Sequence, residues 1–297
     1  MDIITSHLDY LTRSYNSAQL PKDLFPLIPG FKVKKKIGRV RQYEQGYELE
    51  CGGYLLLNGA DNPQGSLLDL TGEPLFNLRM KYDLSDEIIL MHTSNTEQFK
   101  RTTRIDYCWN VPGEKVTQFD TLREWNEDRV KSRIRCEPRI TGKNNKAEKG
   151  VSAKETTIYY GSETSDVQVR VYDKAGQMKL LAQALTRVEI QLRNEHARLL
   201  SIDASKSTIK VAAQTKLKKV LDFPALEWWQ RMFTDEVCEL SPIKPRDKNA
   251  LGFLTRTIDP FIQSNIEDYD FAATLSHLMS HWAALAYATL EPNESED

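Results

Sequence analysis

The stretch TTIYYGSETSDVQVRVYDKAGQ, Thr156 to Gln177, decides how this chain reads, and TRVEIQLRNEHARL, Thr186 to Leu199, follows it closely. Side chains on a strand point alternately to opposite faces. In the first stretch Val167, Val169 and Val171 face one way, and Gln168, Arg170, Tyr172 and Lys174 the other. In the second, Val188, Ile190 and Leu192 oppose Arg187, Glu189, Gln191 and Arg193. RTTRIDYCWN, Arg101 to Asn110, repeats the pattern, with Ile105, Tyr107 and Trp109 on one side and Arg104, Asp106, Cys108 and Asn110 on the other. Three strands share one apolar and one polar face.

Charged cross-strand pairs on the solvated side of an antiparallel sheet would account for such a face. The residue types say more. A tyrosine can act as a nucleophile, two carboxylates can hold a hard divalent cation, and Arg and Lys neutralise phosphate. Together they point to chemistry on a phosphodiester.

At 297 residues the chain suffices for one large or two small domains with a well-covered core. A hydrophobic fraction of 40% fits a folded domain. The formal net charge of -2 excludes global attraction to nucleic acid, so any DNA contact must come from local patches. Two exist. DRVKSRIRCEPRITGKNNKAEKG, from Asp128 to Gly150, carries Arg129, Lys131, Arg133 and Arg135 among other cations, and FKVKKKIGRVR, from Phe31 to Arg41, is lysine-rich. Either tracks a phosphate backbone or serves as a solvated connector. Cys51, Cys108, Cys136 and Cys238 form no CxxC pair, which argues against a zinc ribbon or a disulfide scaffold and for a reducing compartment. With no apolar run long enough for a bilayer and no secretory start, a cytoplasmic location is expected.

The pattern elsewhere gives an α+β body, with a mainly antiparallel central sheet flanked by helices and a helical C-terminal third. Ile4, Leu8 and Leu11 predict an amphipathic helix from Ile3 to about Ala18, ended by Pro21. GYELECGGYLLLNG reads as a hairpin turning at Gly52 and Gly53, and SLLDLTGEPLF as a strand ending near Gly72. Residues Phe76 to Thr93, Thr117 to Ile134, Asn194 to Phe223, Pro224 to Leu240 and Phe271 to Glu291 have helical spacing, and the acidic tail is expected to be disordered. The implied division is an N-terminal helical segment over 1–29, a catalytic core over 30–200, a helical region over 201–290 and a tail over 291–297. No P-loop or dinucleotide fingerprint is present.

His277 and His281 share a helix face but lack the Glu of a zinc-protease motif, so they read as packing or surface residues. His7, His92 and His196 are isolated, and no His-hydrophobe-His run offers a metal site, so a nicking enzyme built this way would hold its cation with carboxylates. Trp228 and Trp229 read as core anchors rather than base-stacking platforms, and Ser165 as a turn residue.

Tyr159 to Asp166 has the pattern Y-x-G-S-x-x-S-D, Arg170 to Lys174 the pattern R-x-Y-D-K, Arg187 to Glu189 reads R-V-E and Arg104 to Asp106 R-I-D, with a weaker echo in LLDLTG, Leu67 to Gly72. In these motifs the sequence resembles the trans-acting rolling-circle replication initiators (Rep_trans) of plasmids, phages and integrative elements, over about Leu67 to Arg198. The resemblance implies that Tyr172 attacks a DNA phosphodiester, leaving a 5′-phosphotyrosine link and a 3′-hydroxyl for a host polymerase. It makes Asp106 and Glu189 the ligands of Mg²⁺ or Mn²⁺, with Asp69 a third option, and Arg170, Arg187 and Lys174 the groups around the phosphate and the phenol. Tyr159 and Tyr160 are the rival nucleophiles. It also implies origin DNA, a homodimer and a host helicase as partners.

The chain departs from the family pattern at Glu163 and Thr164 in the turn, at Asn110, where an acidic residue is common, and at Gln177. These bear on the metal set and not on the tyrosine. A mobilisation relaxase of the same fold, a non-catalytic replication-control protein that binds DNA, and a plain α+β domain are the other readings.

Overall fold

The computed structural model describes residues 3–16, 29–40, 42–58, 65–95, 99–113, 117–141, 156–178 and 184–243. The three alternating stretches form adjacent strands at the middle of an antiparallel sheet: β6 (Phe99–Pro112), β11 (Leu185–Arg193) and β10 (Val167–Asp173). Beyond β10 lie β9 (Thr157–Tyr160) and the edge strand β8 (Arg139–Thr141). On the other side of β6 the order continues through β1 (Thr5–Tyr15), β5 (Ser66–Leu70), β4 (Tyr54–Leu57), β3 (Tyr43–Leu49) and β2 (Val33–Val40). This makes ten strands among the described residues, with the lysine-rich β2 at the second edge.

The apolar face carries the core. Trp109, Val169, Val171, Val188, Ile190 and Leu192 are fully buried on it. Helices α5 (Asn194–Lys206) and α6 (Ile209–Val220) pack there, α5 against β6 and β11, burying Ala197, Leu200, Ala212 and Leu217. The remaining helices among the described residues are α1 (Gly72–Tyr82), α2 (Asp86–Ser94), α3 (Gln118–Asn126), the single turn α4 (Lys174–Gln177) and the short α7 (Glu227–Gln230). A two-residue strand, β7 (Lys131–Ser132), pairs with β12 (Leu221–Asp222), which continues directly from α6.

Residues 5–15 are a strand, not the expected helix, and they lie inside the sheet between β5 and β6. The reason is a β-bulge. Leu8 pairs with Tyr107 and Tyr10 with Asp106, so Asp9 is an extra residue on β1. The insertion brings Leu8 and Leu11, three apart, to the same buried face, which mimics helical spacing.

The segment from Pro224 to Leu240 forms only one helical turn, α7. Trp229 packs edge-on against Phe223 with ring centroids 4.9 Å apart, and Trp228 and Phe233 complete the cluster. The tryptophans are core anchors. Past the turn, the Gln214 side chain takes over the backbone bonds a helix would make: its amide donates to the carbonyls of Thr234 and Glu236 and accepts the Thr234 N–H. His277, His281, the expected last helix and the acidic tail lie outside the described residues. No helix among the described residues is long and apolar enough to cross a membrane.

Candidate active site

Register aligns the polar residues into rows across the sheet. His7 on β1 pairs with Cys108 on β6, Cys108 with Glu189 on β11, Glu189 with Arg170 on β10, Arg170 with Tyr159 on β9, and Tyr159 with Arg139 on β8. The next row runs Thr5, Asn110, Arg187, Tyr172, Thr157. Direct cross-strand partners share a face, with side chains about 5 Å apart.

Tyr172 is 9% exposed, and its hydroxyl donates to Glu189 Oε2 at 3.3 Å. Arg170 donates to both Glu189 and Asp106, the latter at 2.9 Å. Asp106 also accepts Arg104 Nε at 2.8 Å and Nη2 at 2.5 Å, while the Arg104 guanidinium lies 3.9 Å from the centre of the Tyr10 ring. Arg170 therefore stands between the two carboxylates expected to share a cation. Arg187 donates through Nε to Asn110 Oδ1 at 2.8 Å and through Nη1 to Asp9 Oδ1 at 3.1 Å. Lys174 holds Gln177 Oε1 at 2.9 Å, with its ammonium 5.9 Å from the Tyr172 ring centre. The departures at Asn110 and Gln177 are thus fixings for Arg187 and Lys174.

The bulge builds a second cluster beside this one. His7 Nε2 lies 3.3 Å from Cys108 Sγ and 3.8 Å from Asp9 Oδ1, and the three donor atoms all fall within 4.8 Å of one another. The bulge backbone is held from outside the sheet, where Asp86 Oδ2 accepts the Leu8 N–H at 2.7 Å and Arg79 Nη1 donates to the Leu8 carbonyl at 2.9 Å. Arg79 and Asp86 also pair with each other at 2.8 Å.

Burial dominates the electrostatics, because a low-dielectric surrounding disfavours charged forms. It pushes the Tyr172 phenol above its ordinary value, with Glu189 and Asp9 adding to the shift and Arg187 opposing it. It raises the Cys108 thiol in the same way. Glu189 is raised to about 8, first by burial and then by Asp106 and Asp9 against the opposing Arg170. His7 is lowered to about 4 by burial, Arg79 and Arg187, which keeps its imidazole in the neutral, ligating form.

A family model described as replication initiation factor matches residues 100–251. The chain belongs to the replication initiation factor family. Among solved structures, a rolling circle replication initiator protein from Geobacillus stearothermophilus is similar with a TM-score of 0.57 and 21% identity, over 86% of this chain and 96% of that one. That likeness is one of fold. No curated protein matches the chain.

In this family member the matched span contains β6, β10 and β11, while His7 and Asp9 stand before it on β1. Tyr159 is on the same face as Tyr172 and lies under Arg139, whose guanidinium is 4.7 Å from its ring centre. Tyr160 points into the core and donates to Thr121 Oγ1 at 2.8 Å. Asp69 is buried on β5 opposite Thr12, on the far side of β1 from Asp106. Among the basic residues, Arg129 is bound by Glu124 at 2.7 Å and by Glu127, and Lys131 sits on β7. Arg133 and Arg135 line a cavity with residues of α6, on the helix-covered side of the sheet. Sequence reading missed Asp9 and took His7 as isolated. The spacing of His7 and Asp9, two apart, is the signal a strand reading of residues 5–15 would have used.

Proposed function

We propose that this protein nicks and rejoins DNA at a specific site through Tyr172 and so initiates rolling-circle replication. The observation that carries the reading is the Tyr172 hydroxyl donating to a buried Glu189 among Arg170, Arg187 and Lys174. In the forward step the Tyr172 oxygen attacks phosphorus, the bond to the 3′-oxygen breaks, and a 5′-phosphotyrosine and a 3′-hydroxyl result. Glu189 takes the phenolic proton, and a proton is returned to the departing 3′-oxygen. Rejoining reverses each transfer. Arg187 and Lys174 offset phosphate charge, and Asp106 positions Arg170.

The residues fit a divalent cation, but with a different set from Asp106 and Glu189. Both Asp106 oxygens are engaged by guanidinium groups, whereas Asp9, which accepts Arg187 through Oδ1 alone, converges with His7 and Cys108. A neutral imidazole, a thiolate and a carboxylate suit a borderline ion such as Mn²⁺ or Zn²⁺ better than Mg²⁺, which favours oxygen ligands. Bound there, the cation would supply positive charge against that developing on the phosphate.

Origin DNA, a second copy of the chain and host replication enzymes are the partners this reading requires. It is tested by covalent capture: the protein, Mn²⁺ and DNA bearing the flanks of its own gene, followed by denaturing gel analysis. An adduct lost in Tyr172→Phe and retained in Tyr159→Phe is the expected result. Tight DNA binding with no adduct would overturn the enzyme reading in favour of a control protein.

A further inference from the structure

The basic run from Arg129 to Arg135 is not a free connector. Pairing of β7 with β12 ties it to the end of α6, and the Arg133 N–H donates to the Val220 carbonyl at 2.9 Å. Arg133 and Arg135 thereby meet Lys216 and Lys219 of α6 and His196 of α5 around a cavity of about 710 Å³, whose lining includes Ser162 of the β9–β10 turn. Among the described residues no aspartate or glutamate lines it, and His196 is the one aromatic ring.

We propose that this cavity is a phosphate-binding site that holds the backbone of duplex DNA away from the bond being cut. The inference rests on the reading of the chain as a DNA-nicking enzyme and adds a second point of attachment to it. Four cations around a single imidazole suit phosphates, which position a duplex, rather than a run of splayed bases. The charge is crowded: Lys216 is held down to about 8 first by burial and then by Lys219 and Arg133, with Asp203 opposing. The Asp203 carboxylate is itself occupied by the N–H and hydroxyl of Ser241. An incoming anion relieves that crowding.

Position separates the cavity from the nick. Val167 lines it, and Tyr172 lies five residues on along β10 with its side chain on the opposite face. The strand alone puts about 17 Å between them. At ~3.4 Å per phosphate along one strand of a duplex, that is at least about five phosphates, because a path from one face of the sheet to the other is longer than the strand itself. The cavity therefore engages DNA flanking the cleaved step.

The test is duplex binding by the full chain, measured across a salt series, which reads no chemistry. The double substitution Lys216→Ala and Lys219→Ala is expected to weaken binding about tenfold or more and to lower the salt slope by about 2. Lys216→Arg with Lys219→Arg is expected to restore both. Unchanged affinity and slope in the alanine form, with its thermal melt intact, would overturn the proposal. Should that form fail to fold, Arg133→Ala with Arg135→Ala is the alternative, since both side chains are exposed. Pyrophosphate competing as well as duplex at equal phosphate concentration would overturn the DNA assignment and leave a small-anion site. Failure of the nicking reading shows separately, as the absence of any covalent adduct in the unaltered chain.

Discussion

Asp86 accepts the Leu8 N–H at 2.7 Å, and with Arg79 on the Leu8 carbonyl it fastens the β-bulge that presents Asp9. Inserting a residue frees backbone groups from the ladder, and here an ion pair between two helices takes them up. Asp86→Asn is expected to weaken Mn²⁺ or Zn²⁺ binding about 10–100-fold, the usual effect of losing a group that orients ligands. Calorimetric titration checks it. Unaltered affinity would show that the bulge holds itself.

Cys108 sets the softness of the donor cluster. Cys108→Asp is expected to reverse the metal preference, gaining about tenfold or more for Mg²⁺ relative to Zn²⁺. Thermal shifts with each ion, in the absence of DNA, measure this without reference to catalysis.

Glu189 is the acceptor of the Tyr172 hydroxyl. Glu189→Gln keeps the shape and removes the base, so single-turnover adduct formation should slow about 10²–10⁴-fold, with duplex affinity nearly unchanged. A rate within a few-fold of the original would assign the proton to another group.

Lys216 gives duplex binding a pH dependence of known sign. A bound phosphate favours the charged ammonium, so binding takes up a proton, and affinity strengthens as pH falls through about 8. The groups facing Lys216 are Lys219, Arg133, Asp203 and His196. Lys216→Arg should flatten the profile above pH 8, as anisotropy titrations would show.

Trp229 is fully buried between Phe223 and Phe233. Trp229→Ala is expected to cost about 3–5 kcal/mol in urea unfolding. A loss below about 1 kcal/mol would mean the ring cluster repacks.

The middle of the sheet was legible because β6, β10 and β11 alternate without interruption, which fixes both the apolar core and the face bearing Tyr172, Arg170 and Glu189. The outer part was not. A single inserted residue at Asp9 gave Leu8 and Leu11 the spacing of a helix, and it hid a cluster whose third member, Cys108, lies a hundred positions away. Pro224 to Leu240 misled for another reason: its apolar spacing is real, but Gln214 bonds the backbone in an open path. The basic run showed its charge in the sequence, whereas which cations are free for DNA depends on Glu124 and Glu127 claiming Arg129.

The edge strand β2 carries the second lysine-rich run, with Lys34, Lys35 and Lys36 exposed and Lys34 paired to Glu48 at 2.8 Å. Among the described residues the ten-stranded sheet ends at β2 in a row of unpaired backbone groups, and like charges along such a row disfavour stacking of copies strand to strand. Those lysines thus act as a guard against polymerisation: exchanging them for threonine would leave the Tyr172 face alone while turning the rim into a template for fibres.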